Sequence, residues 1–415
     1  MSRVVVVGLG YVGLPLAVRA AQAGHRVFGL DLDPAKIEAL QAGRTYVEDV
    51  SSQELQDVLA DGAFHVSANP APDMLHFDVG IIVVPTPLRD GEPDLSCVEA
   101  AGRTLGRFLR RGSTVVLEST TYPGTTEGLL AEVLEEESGL KAGHDFHLGF
   151  SPERIDPGNK VNTLVNTPKL VSATTPTGLA AVQAFYDTVV ERTVPVSNPR
   201  TAEITKLFEN IQANTNIALV NEMAELCRLL GIDVWEVVEA SMTKGHSMAR
   251  WTPGPGVGGH CLPIDPIYLA WLAREELGRP FRFAELAQQV NEERPVLVAE
   301  RAAELVENAG GRSVLVLGTA YKPNVGDVRE SPAVEVVRQM QARALDVTVV
   351  DPHVDRWTLS PVLSLEEMIP SLPSFDLVVL VTDHDDFDYE KIASEARLVL
   401  DCRHAVPASS NVVRL

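Results

Sequence analysis

"RVVVVGLGYVGLPLAVRAAQAGHRVFGLDLD", residues 3 to 33, decides the fold. The valine run reads as a strand buried on both faces, "LPLAVRAAQAG" as a helix ended by Gly24, and "HRVFGLDLD" as a second strand. Strand, helix, strand is a βαβ unit. Between the first strand and the helix lies Gly8-Leu9-Gly10-Tyr11-Val12-Gly13, the spacing G-x-G-x-x-G. Glycines at those places permit a tight turn and let the backbone approach a pyrophosphate seated on the helix N-terminus. Asp31, ending the second strand, is placed to bond adenosine ribose hydroxyls and to repel a 2'-phosphate, which selects NAD over NADP. A secretory signal would also show a basic start, an apolar run and small residues near Ala20 to Ala23. Gly8, Gly10, Gly13 and Pro15 interrupt that run, so the dinucleotide reading prevails.

The pattern recurs along the chain. "DVGIIVVPTP" (78–87), a helix from about Leu95 to Leu109, "STVVLEST" (113–120), "HLGFSPE" and "KLVSAT" continue the alternation. Strands alternating with helices imply an α/β, doubly wound parallel sheet with ligands at the carboxyl ends of the strands. From Arg200 to Leu230 there is no glycine or proline, and apolar residues recur at helical spacing, so one long helix is expected, with further helices to about Gly310. "RSVLVLGTAYK", "SPAVEVVRQMQARA", "LDVTVVDP", "FDLVVLVTDH" and "ARLVLDCR" then begin a second sheet. The expected architecture is two Rossmann-like doubly wound parallel-sheet domains, 1–198 and 311–415, joined by a long central helix and helical domain, 199–310.

Composition narrows the function. The chain has 415 residues, 45% hydrophobic and 22% charged, with a formal net charge of -22. That charge argues against a nucleic-acid or anionic-membrane surface, while leaving local cations free to hold a small anionic ligand. Cys97, Cys227, Cys261 and Cys402 lie far apart without C-x-x-C spacing, so no metal site or disulfide framework is indicated and a cytoplasmic location is expected. No stretch approaches the apolar length of a membrane helix.

"GPGVGGHCLPIDP", residues 254 to 266, holds the chemistry. Its prolines and glycines exclude a regular helix or central strand, so Cys261 stands in a loop, flanked by His260 and followed by Asp265. A thiolate there is a strong nucleophile, and glycines let an extended substrate lie against the backbone. Cys97 and Cys227 read as small buried hydrophobes. Lys206 and Asn210, spaced i and i+4, share one helix face and could stabilise a developing oxyanion; a solvated face is the alternative. Lys322, Arg329 and Arg403 supply cations near strand ends, either for a nucleotide-shaped ligand or as structural ion pairs.

Taken together, "VVGLGYVGLPLA", "VVPTP", "ESTTYPGTT", "SPERIDPG", "EITKLFEN", "GPGVGGHCLPIDP" and "AYKPNVGDVRESP" resemble, in order, the motifs of the UDP-glucose/GDP-mannose dehydrogenase family of nucleotide-sugar 6-dehydrogenases. The resemblance runs over nearly the whole chain. It implies a four-electron oxidation in which a C6 alcohol becomes a carboxylate at the expense of two NAD. Cys261 would add to the first-formed aldehyde as a thiohemiacetal, a second hydride transfer would give a thioester, and water would release the acid. Carried over by motif, Lys206 and Asn210 would stabilise oxyanions, Asp265 and Thr120 would handle protons and water, and Glu153 would assist thioester hydrolysis. NAD would be met by Gly8, Gly10, Tyr11, Val12, Gly13, Asp31, Lys36, Pro85, Thr86 and Thr120. The UDP-sugar would be met by Glu153, Arg154, Lys206, Asn210, Arg250, Gly258, Tyr321, Lys322 and Arg403. A homodimer built around the long helix is also implied.

Two departures bear on substrate. After the cysteine the sequence runs Leu262-Pro263-Ile264-Asp265, without the lysine of the UDP-glucose and GDP-mannose branches; GGHC-x-P-x-D-P with "SPER" instead resembles the UDP-N-acetylhexosamine branch. A second carboxylate often found four residues after the Glu153 position is Pro157 here, with Asp156 shifted by one. "GPGVGGHCLPIDPIYLAW" followed by "FRFAELAQQVN" looks closer to UDP-N-acetylglucosamine than to UDP-N-acetylmannosamine dehydrogenases, with UDP-glucose a further alternative. A two-electron hydroxyacid-type dehydrogenase would give no reason for a cysteine loop. A non-catalytic nucleotide-sugar sensor would be expected to have lost one of Cys261, Lys206, Asn210 or Asp265.

Overall fold

Val4, Val5 and Val6 are fully buried, as a strand covered on both faces requires. The computed structural model describes every residue except 71–75, 156–158, 160, 247, 248, 260 and 355. Two units divide the chain, Met1–Glu209 and Asn210–Leu415.

In the first unit, β1 (Arg3–Val7), α1 (Gly13–Gln22) and β2 (Arg26–Leu30) form the expected βαβ motif. Next come α2 (Pro34–Gln41), α3 (Ser52–Ala60), β3 (Phe64–Ser67), β4 (Val79–Ile82) and a short hairpin of β5 (Leu88–Arg89) and β6 (Glu92–Pro93). The unit continues through α4 (Ser96–Gly106), β7 (Thr114–Leu117), α5 (Ala131–Ser138), β8 (His147–Phe150), β9 (Lys169–Ala173), α6 (Pro176–Val189) and β10 (Thr193–Pro195). The sheet order is β10-β9-β8-β7-β4-β1-β2-β3. Because β1 lies between β2 and β4, the chain changes direction across the sheet there, leaving a crevice beyond the carboxyl ends of β1 and β4.

The expected all-parallel sheet has one exception: β8 and β9 pair antiparallel, Gly149 opposite Ala173 and Phe150 opposite Ser172. A parallel return needs a crossover, and the described residues between these strands contain turns and no helix. Gly149 permits the pairing, since a Cβ there would collide with the Ser172 carbonyl oxygen. Helix α6 then supplies a crossover, and β10 pairs parallel to β9.

α7 (Pro199–Leu230) is a single helix of 32 residues, about 48 Å long at 1.5 Å per residue. The unit boundary falls within it. α8 (Val234–Met242), α9 (Asp265–Leu277) and α10 (Arg282–Ala309) follow. The second sheet is built from β11 (Ser313–Leu317), α11 (Pro332–Ala342), β12 (Asp346–Val350), α12 (Leu365–Ser371), β13 (Leu377–Leu380), α13 (Tyr389–Glu395), β14 (Val399–Asp401) and β15 (Val412–Arg414). Its order is β12-β11-β13-β14-β15, parallel throughout. Val314 and Val316 pack with α10 and α11, whereas Leu315 and Leu317 pack with α12 and α13. Alternate residues of one strand thus fill two cores, the mark of a sheet wound on both faces.

Asp351, just past β12, fastens this sheet's first loop. Its Oδ2 accepts from the Thr319 and Ala320 N–H groups at 2.6 and 2.9 Å and lies 3.1 Å from His384 Nε2. The donor-only Asn324 N–H reaches His384 Nδ1 at 2.9 Å, so in the neutral ring Nε2 carries the proton and donates to Asp351. Burial opposes ionisation of Asp351, but His384 and these N–H groups hold its pKa down at about 2. A carboxylate depressed in the folded state adds stability above its ordinary value and loses it as pH falls through the folded value. Asp351→Asn is therefore expected to cost about 2 kcal/mol at pH 7. In urea unfolding, the gap between variant and parent should narrow between pH 4 and pH 2.

Candidate active site

The three glycines of the first loop do different work. A Cβ on Gly8, whose φ is +96°, would collide with the Val83 carbonyl oxygen, and one on Gly13 with the carbonyl oxygen of Gly8. A Cβ on Gly10 would meet nothing within 4 Å. Packing within the chain accounts for Gly8 and Gly13; Gly10 leaves its backbone open to a ligand. Helix α1 begins at Gly13 after Val12, with no side-chain cap and no acid in its first turn. Its amide end is thus left for an anion.

Asp31 accepts from Leu9 N at 2.9 Å and from Asp33 N at 3.0 Å. Lys36 lies 3.4 Å from its carboxylate, and the Tyr46 hydroxyl donates to the Leu9 carbonyl at 2.6 Å. Tyr11 is exposed, as is Pro85, whereas Thr86 is buried. Across the crevice, Ser119 Oγ joins the ends of β4 and β7, accepting from Val84 N at 2.9 Å and donating to Val84 O at 2.8 Å. These residues fit a dinucleotide.

Glu203, one turn before Lys206 on α7, anchors the loop that begins at Thr120. Its carboxylate accepts from Gly124 N at 2.6 Å, Thr126 N at 3.0 Å and Thr126 Oγ1 at 2.6 Å. Burial raises its pKa against the pull of those bonds. Lys206 is buried, 7% exposed. Glu153, following β8, accepts from Arg154 N at 2.6 Å, from Ile155 N, and from Lys169 Nζ at 3.3 Å. Arg154 itself forks onto Glu209 at 2.7 and 3.2 Å and donates to Pro168 O at 2.8 Å. That pairing ties its loop to α7.

In the second unit, the cysteine loop runs into α9, which starts at Asp265. Cys261 is exposed, and its carbonyl accepts from Asp265 N at 2.9 Å. Asp265 is 2% exposed and accepts from Asn210 Nδ2. Seven residues before Cys261 the loop is held at both poles of one residue: Gly254 N donates to Asn221 Oδ1 at 2.9 Å, and Gly254 O accepts from Arg294 Nε at 3.2 Å. Asn221 donates to Asn291 at 3.0 Å, which donates to Asn214 at 2.8 Å. A donor-only N–H at one end and the Asn214 backbone carbonyl at the other dictate how each amide is turned.

The glycines of this loop are close-packed. A Cβ on Gly258 would lie 2.7 Å from Glu330 O and 2.8 Å from Tyr321 Cβ, and one on Gly259, with φ +81°, 2.8 Å from the Tyr321 ring. A Cβ on Gly254 would lie 3.0 Å from Arg403 Nη1. Gly258, Tyr321 and Arg403 therefore gather around one loop. Lys322 Nζ stands 5.8 Å over the Tyr321 ring. Arg403 donates to Val381 O at 2.7 Å. Arg329 forks onto Asp327 at 2.6 to 3.0 Å, so for this cation the structural pairing is realised. Arg250 makes an exposed pair with Glu239 at 2.7 Å.

Cys227 is buried as expected, but Cys97 is exposed. It sits in the first turn of α4, whose buried positions are Val98, Ala101, Gly102, Leu105 and Gly106. Burial pushes the Cys402 thiol up to about 12. His260, Asp156 and Pro157 lie outside the described residues. Glu118, Lys169, Tyr186, Glu203 and the Asn214-Asn221-Asn291 chain escaped the sequence analysis. Asn214 and Asn221, seven apart on one long helix, were the available signal for that chain.

The first unit is thus a Rossmann-type dinucleotide-binding fold. The chain matches the UDP-glucose/GDP-mannose dehydrogenase family at its NAD binding domain over residues 2–190, its central domain over 200–293 and its UDP binding domain over 315–408. It is 35% identical to a UDP-N-acetyl-D-mannosamine dehydrogenase of Pyrococcus horikoshii, covering 97% of this chain and 96% of that protein. It is 34% identical to an NDP-N-acetyl-D-galactosaminuronic acid dehydrogenase of Ralstonia solanacearum, covering 96% and 95%. A solved structure of a UDP-D-ManNAc dehydrogenase from Pyrococcus horikoshii superposes with a TM-score of 0.89 at 32% identity, over 99% of this chain and 98% of that one. The chain belongs to the UDP-glucose/GDP-mannose dehydrogenase family. It is an NAD-dependent nucleotide-sugar dehydrogenase. Among the described residues, no helix is long and apolar enough to cross a membrane.

Gly10→Ala and Gly13→Ala should separate binding from folding. Gly13→Ala is expected to lower stability by about 1–3 kcal/mol, since the turn must shift. Gly10→Ala should leave the melting temperature unchanged and weaken NAD binding about tenfold or more, read by fluorescence titration.

Proposed function

We propose that the chain oxidises the C6 alcohol of a UDP-N-acetylhexosamine to the carboxylate through covalent attachment to Cys261. The observation that carries this reading is an exposed cysteine whose backbone carbonyl accepts from the N–H of Asp265, a buried residue whose carboxylate accepts from Asn210. A hydroxyl losing hydride develops negative oxygen, and fixed donors there lower the barrier. Lys206 and Asn210 act as those donors, while Asp265 and Thr120 take and return protons. NAD, held by the glycine loop, Asp31, Lys36, Pro85, Thr86 and Thr120, supplies the hydride acceptor when bound. Alcohol, two NAD and one water become carboxylate, two NADH and three protons.

UDP-N-acetylglucosamine is the substrate favoured by the sequence resemblance. UDP-N-acetylmannosamine is the second reading, supported by the name of the Pyrococcus horikoshii relative. Lys322, Arg403, Tyr321, Gly258, Arg250 and Arg154 are assigned to the UDP-sugar. The functional division is 1–198 for NAD, 199–310 for the cysteine loop and dimer, and 311–415 for the UDP-sugar. Leu219, Met223, Leu226 and Leu230 form an exposed stripe on α7, 41% to 72% accessible, at helical spacing, and we assign it to a second copy of the chain.

With excess NAD and limiting UDP-sugar, two NADH per sugar are expected from one of the two epimers. A ratio of one would sink the thioester route. Asp265→Asn should slow turnover by about 10²–10⁴-fold. Leu226→Glu should halve the mass seen by sedimentation; an unchanged mass removes this stripe from the dimer interface.

A further inference from the structure

Lys169 begins an apolar strand, yet its ammonium is buried. The residue is 4% exposed, and Nζ lies 2.8 Å from Glu118 and 3.3 Å from Glu153. Glu118 is 1% exposed and also accepts from the Tyr186 hydroxyl. The ammonium stands 5.5 Å from the centre of the Tyr186 ring. Burial opposes the charge on Lys169, but Glu118 and Glu153 together hold its pKa above the ordinary lysine value.

The two carboxylates are not equivalent. Glu118 is enclosed by the ammonium and the hydroxyl. Glu153 uses Oε1 for the N–H groups of Arg154 and Ile155 and turns Oε2 toward Lys169. Both its oxygens are therefore fixed from behind, which sets where its remaining lone pairs point. A buried ion pair contributes little net stability compared with apolar packing of the same shape. Positioning a reacting carboxylate gives such a cluster a use that apolar packing could not supply.

We propose that Lys169, steadied by Glu118 and Tyr186, is a positioning residue that holds the Glu153 carboxylate in the orientation from which it serves as base in hydrolysis of the thioester. This rests on the four-electron reading above. In the step, water oxygen bonds to the thioester carbonyl carbon and Glu153 takes a proton from that water. The C–S bond then breaks, and Cys261 departs with the electron pair as thiolate. No oxidant or reductant is consumed.

The test follows NADH by stopped flow and the protein by intact mass. Lys169→Gln is expected to release two NADH per active site in a first turnover at the parental rate, and then to slow by about 10²–10⁴-fold. A sugar-acyl adduct should accumulate on Cys261, and hydroxylamine, which attacks thioesters without a protein base, should discharge it. Lys169→Arg keeps a charge whose fork can reach both carboxylates, and should recover turnover to within about tenfold of the parent. Burst and steady state falling together, or slow turnover without an adduct, would overturn the proposal. One NADH per sugar from the parental protein would overturn the four-electron reading instead. Should Lys169→Gln fail to fold, Glu118→Gln leaves the ammonium to Glu153 alone and should keep the burst while slowing hydrolysis at least about threefold. A steady-state rate unchanged from the parent would then overturn the proposal.

Discussion

A polar side chain buried on a helix must find a partner, and along α7 the partners are loops, the first residue of α9 and a side chain of α10. Glu203 collects three donors from residues 124 and 126. Asn210 reaches Asp265, Asn221 reaches Gly254, and Asn214 closes the amide chain through Asn291. The bonds from Glu203, Asn210 and Asn221 each fasten a segment that holds a candidate site residue, and the one between Asn214 and Asn291 steadies Asn221 through α10. Leaving one buried partner unpaired costs about 1–3 kcal/mol. The loops are therefore ordered by specific bonds, which glycine-rich backbone could not achieve by itself.

Much of this architecture was legible from residues 3–33 and their echoes, because strands buried on both faces read as unbroken apolar runs and α7 lacks any breaker. The antiparallel β9 was not legible, since strand direction depends on a connection whose path has no local signature. Short β15 was missed for a similar reason: three residues carry too little pattern. Within the candidate site, the motifs supplied the residues but not their partners. Glu153 could be named from its tripeptide, whereas Lys169, sixteen positions later at the head of an apolar strand, could be linked to it only through the fold. Cys97 shows the converse error, a rule about cysteines overridden by which side of α4 the residue falls on.

The two sheets use the same device to different ends. In both units an aspartate follows the second strand and accepts N–H groups from the loop after the first, Asp31 from Leu9 and Asp351 from Thr319 and Ala320. Asp351 has in addition His384 and a side chain only 3% exposed, so its capacity is spent within the chain. Asp31 bonds the loop and still lies beside Lys36 at the crevice edge. One carboxylate locks a turn; the other locks a turn and faces a ligand site.

The reversed strand carries a consequence of its own. Parallel strands deliver only their final residues to the carboxyl end of a sheet, so everything that β7 and β8 can offer there comes after the strand, as Glu118 and Glu153 do. β9 runs the other way and delivers its first residue instead. Continuing the register from Phe150 opposite Ser172 brings Lys169 level with Glu153. Had β9 entered parallel, the lysine would sit at the opposite edge of the sheet, about 16 Å away for a five-residue strand. A single inversion of direction therefore lets one sheet edge draw an acid and its counter-charge from opposite ends of neighbouring strands.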